Sequence, residues 1–138
     1  MTTVLTPETI AERLGGLSTL VPDLQLLVLF GSVAKGRGRA GSDVDLGVQC
    51  DDAADLDALH LTIVPRLGTD RVDIVDLRRA APLLVFEVAR TGRPLVERRP
   101  GAFREFQSLA SRRYADAAKF RRSQRRALHA FLEREGLA

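Results

Sequence analysis

The sequence predicts an α/β (α+β) fold, in which a small mixed sheet is covered by helices and a long basic helix ends the chain. Short apolar runs with strand composition alternate with amphipathic stretches of helical periodicity. The 138 residues are about the size of one domain, and no linker or internal repeat divides them. We therefore expect a single domain over residues 1–138, with a core of about 1–97 and a basic helical segment over 98–138.

The first half of the chain predicts two helices and two strands. Thr6 followed by proline and glutamate indicates the start of a helix. Residues 24–30 do not alternate in polarity, which predicts a strand buried on both faces. A short helix over 32–35 follows, and then a glycine-rich basic loop. Residues 44–50 form the second predicted strand.

An amphipathic helix and a third strand come next. Asp51 or Asp52 can cap a helix that runs to about Leu67, and Pro65 should end or bend it. Alternation of polarity over residues 71–77 predicts the third strand.

The remaining residues predict two helices around an edge strand. A helix is expected over 83–90, followed by a short strand over 93–97, where Pro94 is acceptable at a sheet edge. Pro100 should open a final helix that extends to about Glu135 and packs outside the domain or against a partner.

The charge is distributed unevenly. Residues 1–97 carry ten Lys/Arg and fourteen Asp/Glu, whereas residues 98–138 carry eleven Lys/Arg and four Asp/Glu. The basic end is either a solvated helix face or a surface for an acidic partner. Nucleic acid is a less favoured partner because aromatic residues are few, with no Trp and one Tyr. The single cysteine, Cys50, and the lack of any membrane-spanning or secretory segment indicate a cytoplasmic protein with no membrane partner.

The most informative motif joins the first two predicted strands. Gly31 and Ser32 end the first strand, and ten residues separate Ser32 from Asp43, with Asp45 two places later. Carboxylates at i and i+2 of a strand project from one face, and such close charges stay ionised together when a cation lies between them. A Gly-Ser turn after a strand exposes N–H groups that can bind phosphate oxygens. The pattern predicts a phosphate site facing a divalent-metal site.

A third carboxylate, Asp73, lies in the third predicted strand. If that strand lies beside the strand of Asp43 and Asp45, the three acids can hold two Mg²⁺ ions, as in-line displacement at phosphorus requires. Asp73, on a separate strand, is the natural proton acceptor for an incoming hydroxyl. In the intervening loop, Lys35, Arg37 and Arg39 either neutralise triphosphate charge or only keep the loop soluble, and Lys35 or Arg37 is favoured for the phosphate role.

These motifs resemble a known family. Gly31-Ser32, ten residues, and Asp43 with Asp45 are similar to the signature of the minimal nucleotidyltransferases of the polymerase-beta-like superfamily. The stretches between residues 72 and 98 resemble the MntA-type adenylyltransferase antitoxins, whose partners are HEPN-domain toxins.

The resemblance implies a polymerase-beta-like nucleotidyltransferase fold and an antitoxin that transfers AMP from ATP to a tyrosine of the toxin, using two Mg²⁺ ions. Gly31 and Ser32 would bind the triphosphate. Asp43, Asp45 and Asp73 would ligate metal, and Asp73 would also be the general base.

Three alternatives stay open. The chain could neutralise a toxin by binding alone, could modify a small molecule of the aminoglycoside class, or could bind nucleic acid through its basic end. Several other polar residues are expected to be structural: Asp76 at the surface or as a helix cap, His60 and His129 without metal-ligand spacing, and Tyr114 in the core or an interface.

Overall fold

The computed structural model describes residues 4–136. Its helices and strands follow in the order α1 (Pro7–Leu14), α2 (Leu17–Leu20), β1 (Leu24–Phe30), α3 (Gly31–Ala34), β2 (Val44–Cys50), α4 (Leu56–Leu67), β3 (Val72–Asp76), α5 (Pro82–Thr91), β4 (Arg93–Glu97) and α6 (Ala102–Arg134). The predicted α/β architecture is confirmed, and the one element that the sequence did not predict is the single-turn α2. None of the helices within residues 4–136 is long and apolar enough to cross a membrane.

The four strands form one mixed sheet in the order β3-β2-β1-β4. β1 pairs antiparallel with both β2 and β4, and β2 pairs parallel with β3. The edge position predicted for β4 is therefore correct, and Pro94 lies opposite Val28 beside an irregularity in the pairing. The parallel pairing positions the predicted acids, because it brings the beginnings of β2 and β3 to the same end of the sheet.

Both faces of the sheet are covered, as the unbroken apolar composition of β1 predicts. Leu27 and Leu29 pack in a cluster with residues of α1 and α4, whereas Leu26 and Val28 pack with residues of α5 and α6. The four side chains are at most 1% exposed. Burial of each such side chain contributes roughly 1.5–3 kcal/mol, so the central strand is a rigid support for the segments that follow it.

The ends of α1 and α4 show which predicted caps are correct. Thr6 Oγ1 accepts a hydrogen bond from the N–H of Thr9 at 3.2 Å, as predicted. The prediction that Asp51 or Asp52 caps α4 is wrong, because Asp55 accepts the N–H of Ala58 at 3.1 Å.

Pro65 does not end α4, which continues to Leu67 and stops at Gly68 with a φ of 72°. Pro65 lacks the N–H that would bond to the carbonyl of Leu61, and the helix ends two residues later.

The last helix, α6, packs through its first part. Phe106 and Ala110 are buried, and the ring of Tyr114 stacks on Phe86 with centroids 4.2 Å apart. Beyond Tyr114 no residue of α6 is buried, and the side chains of Phe120 and Leu128 are largely exposed. The predicted long final helix is confirmed, and its packing against a partner stays a prediction.

Asp76 has neither of the two roles predicted for it, at the surface or as the cap of the following helix, since Ala81 is the N-cap residue there. Asp76 is 6% exposed, and its carboxylate accepts the N–H of Ala54 at 3.1 Å and the N–H of Arg78 at 3.0 Å. The sequence could not show this role, because the partner N–H of Ala54 lies far away in the chain. Asp76 thus anchors the segment before α4 to the end of β3.

Replacing Asp76 with Ala should lower the free energy of unfolding by about 2–4 kcal/mol, because two backbone N–H groups lose their acceptor at a cost of roughly 1–3 kcal/mol each. Asp52→Ala, at an exposed position of the neighbouring segment, is the matched control. Urea unfolding of both variants measures the difference. Equal losses in the two variants would contradict the anchoring role.

Candidate active site

Three predicted acids lie at the end of the sheet where β2 and β3 begin. Asp43 directly precedes β2, and Asp45 is the second residue of that strand. The parallel register places Asp45 opposite Asp73 of β3. Register partners in adjacent strands project from the same face, and so do residues at i and i+2. The fold therefore brings Asp43, Asp45 and Asp73 to one face at one end of the sheet.

The pKa of Asp45 reports on how close these groups are. Burial raises the pKa of its carboxyl group, and the negative charges of Asp73 and Asp43 raise it further. Asp45 is half-buried, whereas Asp43 and Asp73 are exposed. Within residues 4–136, no three His, Cys, Asp or Glu side chains are gathered tightly enough to hold a metal ion. Repulsion from Asp73 and Asp43 therefore acts on the Asp45 carboxylate in addition to the cost of its burial.

The turn after β1 lies directly against Asp45. Gly31 has a φ of 76°, and a Cβ atom built on it would overlap Oδ2 of Asp45. Phe30, the last residue of β1, is the register partner of Asp45 in the antiparallel pairing. Glycine is required here for two reasons, the left-handed backbone and the close carboxylate. The Gly-Ser turn and the acid pair are therefore adjacent parts of one site.

The other predicted phosphate-binding groups surround this turn. Ser32 is exposed in the first turn of α3, and Lys35 and Arg37 are exposed just beyond it. The backbone N–H of Arg37 donates to the carbonyl of Ser32 at 2.9 Å, which folds the loop back on the turn. These two cations are available to an anion bound at the Gly-Ser turn.

Arg71 braces the segment that carries Asp43, a role that the sequence does not predict. Its carbonyl accepts the N–H of Val44 at 2.9 Å, and its Nη1 donates to the carbonyl of Gly41 at 2.8 Å. These two bonds hold the chain on both sides of Asp43 against β3, two residues before Asp73. The only sequence signal is an arginine at i−2 from the third acid, which has no special meaning until the strand order is known.

The donor set at this end of the sheet fits Mg²⁺. Carboxylate oxygens are the ligands that Mg²⁺ prefers, and it commonly takes only one or two of them together with substrate phosphates and water. Burial contributes most to the raised pKa of Asp45, and the charges of Asp73 and Asp43 add to it; a divalent cation would favour the ionised form of this carboxyl group. The exposed carboxylates of Asp43 and Asp73 are free to rotate towards such an ion. Cys50, in contrast, is buried, and burial raises the pKa of its thiol to about 11.

Stability without metal should depend on the ionisation of Asp45. A carboxyl group whose pKa is raised in the folded state stabilises the fold most at low pH, where it is protonated. This stabilisation is lost as the pH rises from the ordinary pKa of 3.8 through the raised pKa. Relative to Asp45→Asn, the wild-type chain should lose melting temperature across that rise, and Mg²⁺ at neutral pH should reverse the loss. Thermal unfolding in EDTA and in Mg²⁺ measures both effects. A wild-type chain that follows the variant at every pH would contradict the electrostatic argument.

Comparison with known proteins supports the same interpretation. The sequence pattern of the family described as polymerase beta nucleotidyltransferase matches residues 17–100, which include the Gly-Ser turn and all three acids. The protein adenylyltransferase MntA of Aphanizomenon flos-aquae is 30% identical over 133 residues, which cover 88% of this chain and 89% of that protein. The chain belongs to the MntA protein adenylyltransferases of this nucleotidyltransferase family.

Two further similarities extend the comparison. The protein adenylyltransferase MntA of Shewanella oneidensis is 38% identical over 78 residues, which cover 54% of this chain and 55% of that protein. A crystal structure of a toxin–antitoxin pair with AMP-PNP has a chain that superposes with a TM-score of 0.70 at 27% identity, covering 91% of this chain and 99% of that one. The predicted MntA-type family, the polymerase-beta-like fold and the adenylyltransferase class are confirmed.

Proposed function

We propose that this chain is an antitoxin that transfers AMP from ATP to a tyrosine of a HEPN-domain toxin, with two Mg²⁺ ions held by Asp43, Asp45 and Asp73. The observation that carries the proposal is the parallel register that sets Asp45 beside Asp73, next to the turn at Gly31. The similar toxin–antitoxin pair with AMP-PNP supports the partner class and the nucleotide. The whole chain, residues 1–138, would act as one cytoplasmic domain.

Each residue then has a defined task. The Gly31–Ser32 turn binds the triphosphate through backbone N–H groups and a hydroxyl, and Lys35 and Arg37 offset its charge. When bound, Mg²⁺ would neutralise the charge that develops on the phosphoryl oxygens. Asp73 accepts the proton of the tyrosine hydroxyl. The tyrosine oxygen bonds to the α-phosphorus of ATP as pyrophosphate departs. Alignment of these groups contributes most of the rate, because the transferred group needs little covalent assistance.

Incubation with the product of the neighbouring gene, which the proposal expects to be a HEPN-domain toxin, tests the transfer. With ATP and Mg²⁺, intact-mass spectrometry should show the toxin gaining one or more AMP groups, and peptide mapping should place them on tyrosine. Replacing that tyrosine with Phe should abolish the gain. An unmodified toxin after incubation at stoichiometric enzyme would contradict the proposal.

A second candidate is neutralisation by binding without transfer, and the exposed second half of α6 favours it. Phe120 is 64% exposed and Leu128 is 58% exposed on a helix segment with no buried residue. Such a surface suits a stable partner contact. The two candidates differ in whether the acids are needed, and the Asp43→Asn/Asp45→Asn variant decides between them.

A further inference from the structure

A polar cavity lies near the candidate active site, on the other face of the sheet. Its volume is about 550 Å³, and Val44 is among its lining residues. Val44 packs in the core cluster that contains residues of α1 and α4, whereas Asp45, the next residue of the strand, projects to the opposite face. The cavity is bounded by α1, the end of α4, the turn before β3 and the loop before β2. It is therefore separate from the face that carries the three acids.

Three arginines line this cavity, and they have few anionic partners. Arg13, Arg39 and Arg71 are lining residues, whereas Asp70 is the only acid among them. No ion pair found between residues 4 and 136 includes any of the three guanidinium groups. Three like charges around one space repel one another unless an anion compensates them.

Two of the guanidinium groups are already held in place by neutral partners. Nη1 of Arg13 donates to the carbonyl of Leu67 at 3.0 Å, and Nη1 of Arg71 donates to the carbonyl of Gly41 at 2.8 Å. A guanidinium has five N–H donors, so each keeps donors for a ligand after this one bond. Each bond restricts an exposed side chain, so less side-chain entropy is lost when an anion binds than for an unbonded arginine.

Two hydroxyl groups add neutral donors to the lining. Ser42 Oγ accepts the N–H of Arg39 at 2.7 Å, and Thr69 Oγ1 accepts the N–H of Arg71 at 3.1 Å. Because each oxygen is acting as an acceptor, its own proton stays available for donation. The lining thus combines arginine forks with hydroxyl donors, which is the chemistry that recognises phosphate oxygens.

We propose that this cavity is a second anion site, which binds a phosphate-bearing small molecule, either a nucleotide or an inorganic polyphosphate. An anion there would join Arg39 of the loop to Arg13 and Arg71 of the folded core. The same loop ends at Asp43, so occupancy of the cavity fixes the segment that leads into the acid cluster. The site goes beyond AMP transfer, and its occupancy does not depend on the identity of the acceptor.

Titration of the ¹⁵N-labelled full chain with inorganic tripolyphosphate in EDTA tests the proposal, because the metal-dependent site is then inactive. The expected result is chemical-shift change at Gly68, Thr69 and Asp70. The double variant Arg13→Gln/Arg39→Gln should bind about tenfold more weakly or worse, since charge-assisted hydrogen bonds are lost. Arg66→Gln, an exposed arginine of α4 outside the cavity, is the matched control and should bind as the wild type does.

A parallel titration with ATP in EDTA identifies the source of the phosphate. Tighter binding of ATP at the same amides favours a nucleotide, and tighter binding of tripolyphosphate favours an inorganic anion. Shifts confined to residues 31–34 would overturn the proposal, as would a double variant that binds like the wild type. Because no AMP transfer is measured, failure here is distinguishable from failure of the proposed function. Circular dichroism of the variants, and the single variant Arg39→Gln, which loses no side-chain hydrogen bond to the core, separate lost binding from lost folding.

Discussion

Replacing Asp43 and Asp45 together with Asn is expected to abolish AMP transfer, with a loss of about a thousandfold or more, because the metal ligands that offset the developing charge are removed. The fold should survive the change. Ionised Asp45 is disfavoured in the folded chain by burial and by its two acidic neighbours, as its raised pKa shows. An uncharged amide of the same shape removes that repulsion, so the melting temperature in EDTA should stay constant or rise.

The double variant also decides between transfer and occlusion. We expect it to bind the toxin but to leave the toxin unmodified and active in cells that co-express the pair. Asp57→Asn is a control for the loss of negative charge. It removes one carboxylate from an exposed position in the first turn of α4 and leaves the acid cluster unchanged. Full protection of cells by Asp43→Asn/Asp45→Asn would show that binding suffices, and the proposed transfer would then be dispensable.

The parts of the fold predicted most accurately are those set by local sequence. The bounds of β1, β2 and β4 agree with the predicted ranges, because a glycine or a charged residue flanks each strand at both ends. The predicted cap of α4 is misplaced because three aspartates, Asp51, Asp52 and Asp55, precede that helix, and each has suitable chemistry. Only the backbone path selects Asp55, since its carboxylate is the one that reaches the N–H of Ala58.

The candidate site depends on contacts between strands, which local sequence does not determine. The spacing of Gly31, Asp43 and Asp45 is local and could be recognised, but the distance from Asp45 to Asp73 depends on which strands are neighbours. The parallel β2–β3 pairing that makes them register partners is a tertiary property. Arg71 was overlooked for the same reason, because its bond to Gly41 spans the loop and exists only in the assembled sheet. Prediction from one sequence therefore identified the acids and missed the residue that braces them.

Replacing Gly31 with Ala should be the most damaging single change at the turn. The backbone φ of 76° is strained for any residue with a Cβ, at a cost of roughly 1–2 kcal/mol in the free energy of unfolding. The new methyl group would also occupy the space of Asp45 Oδ2 and force that carboxylate to rotate away. Displacing a catalytic group by about 1 Å can cost about a hundredfold in rate, so we expect AMP transfer to fall by about a hundredfold or more.

Gly101→Ala separates the effect of backbone strain from the effect of displacing the Asp45 carboxylate. Gly101 has a comparable φ of 89°, precedes α6, and has no atom within contact distance of an added Cβ. Both variants should lose about 1–2 kcal/mol in urea unfolding, since the backbone strain is alike. Only Gly31→Ala should lose transfer activity, because only its methyl group meets an acid of the proposed metal site. A Gly31→Ala variant as active as Gly101→Ala would show that the carboxylate tolerates the displacement, and the Gly-Ser turn would then not set the geometry of Asp45.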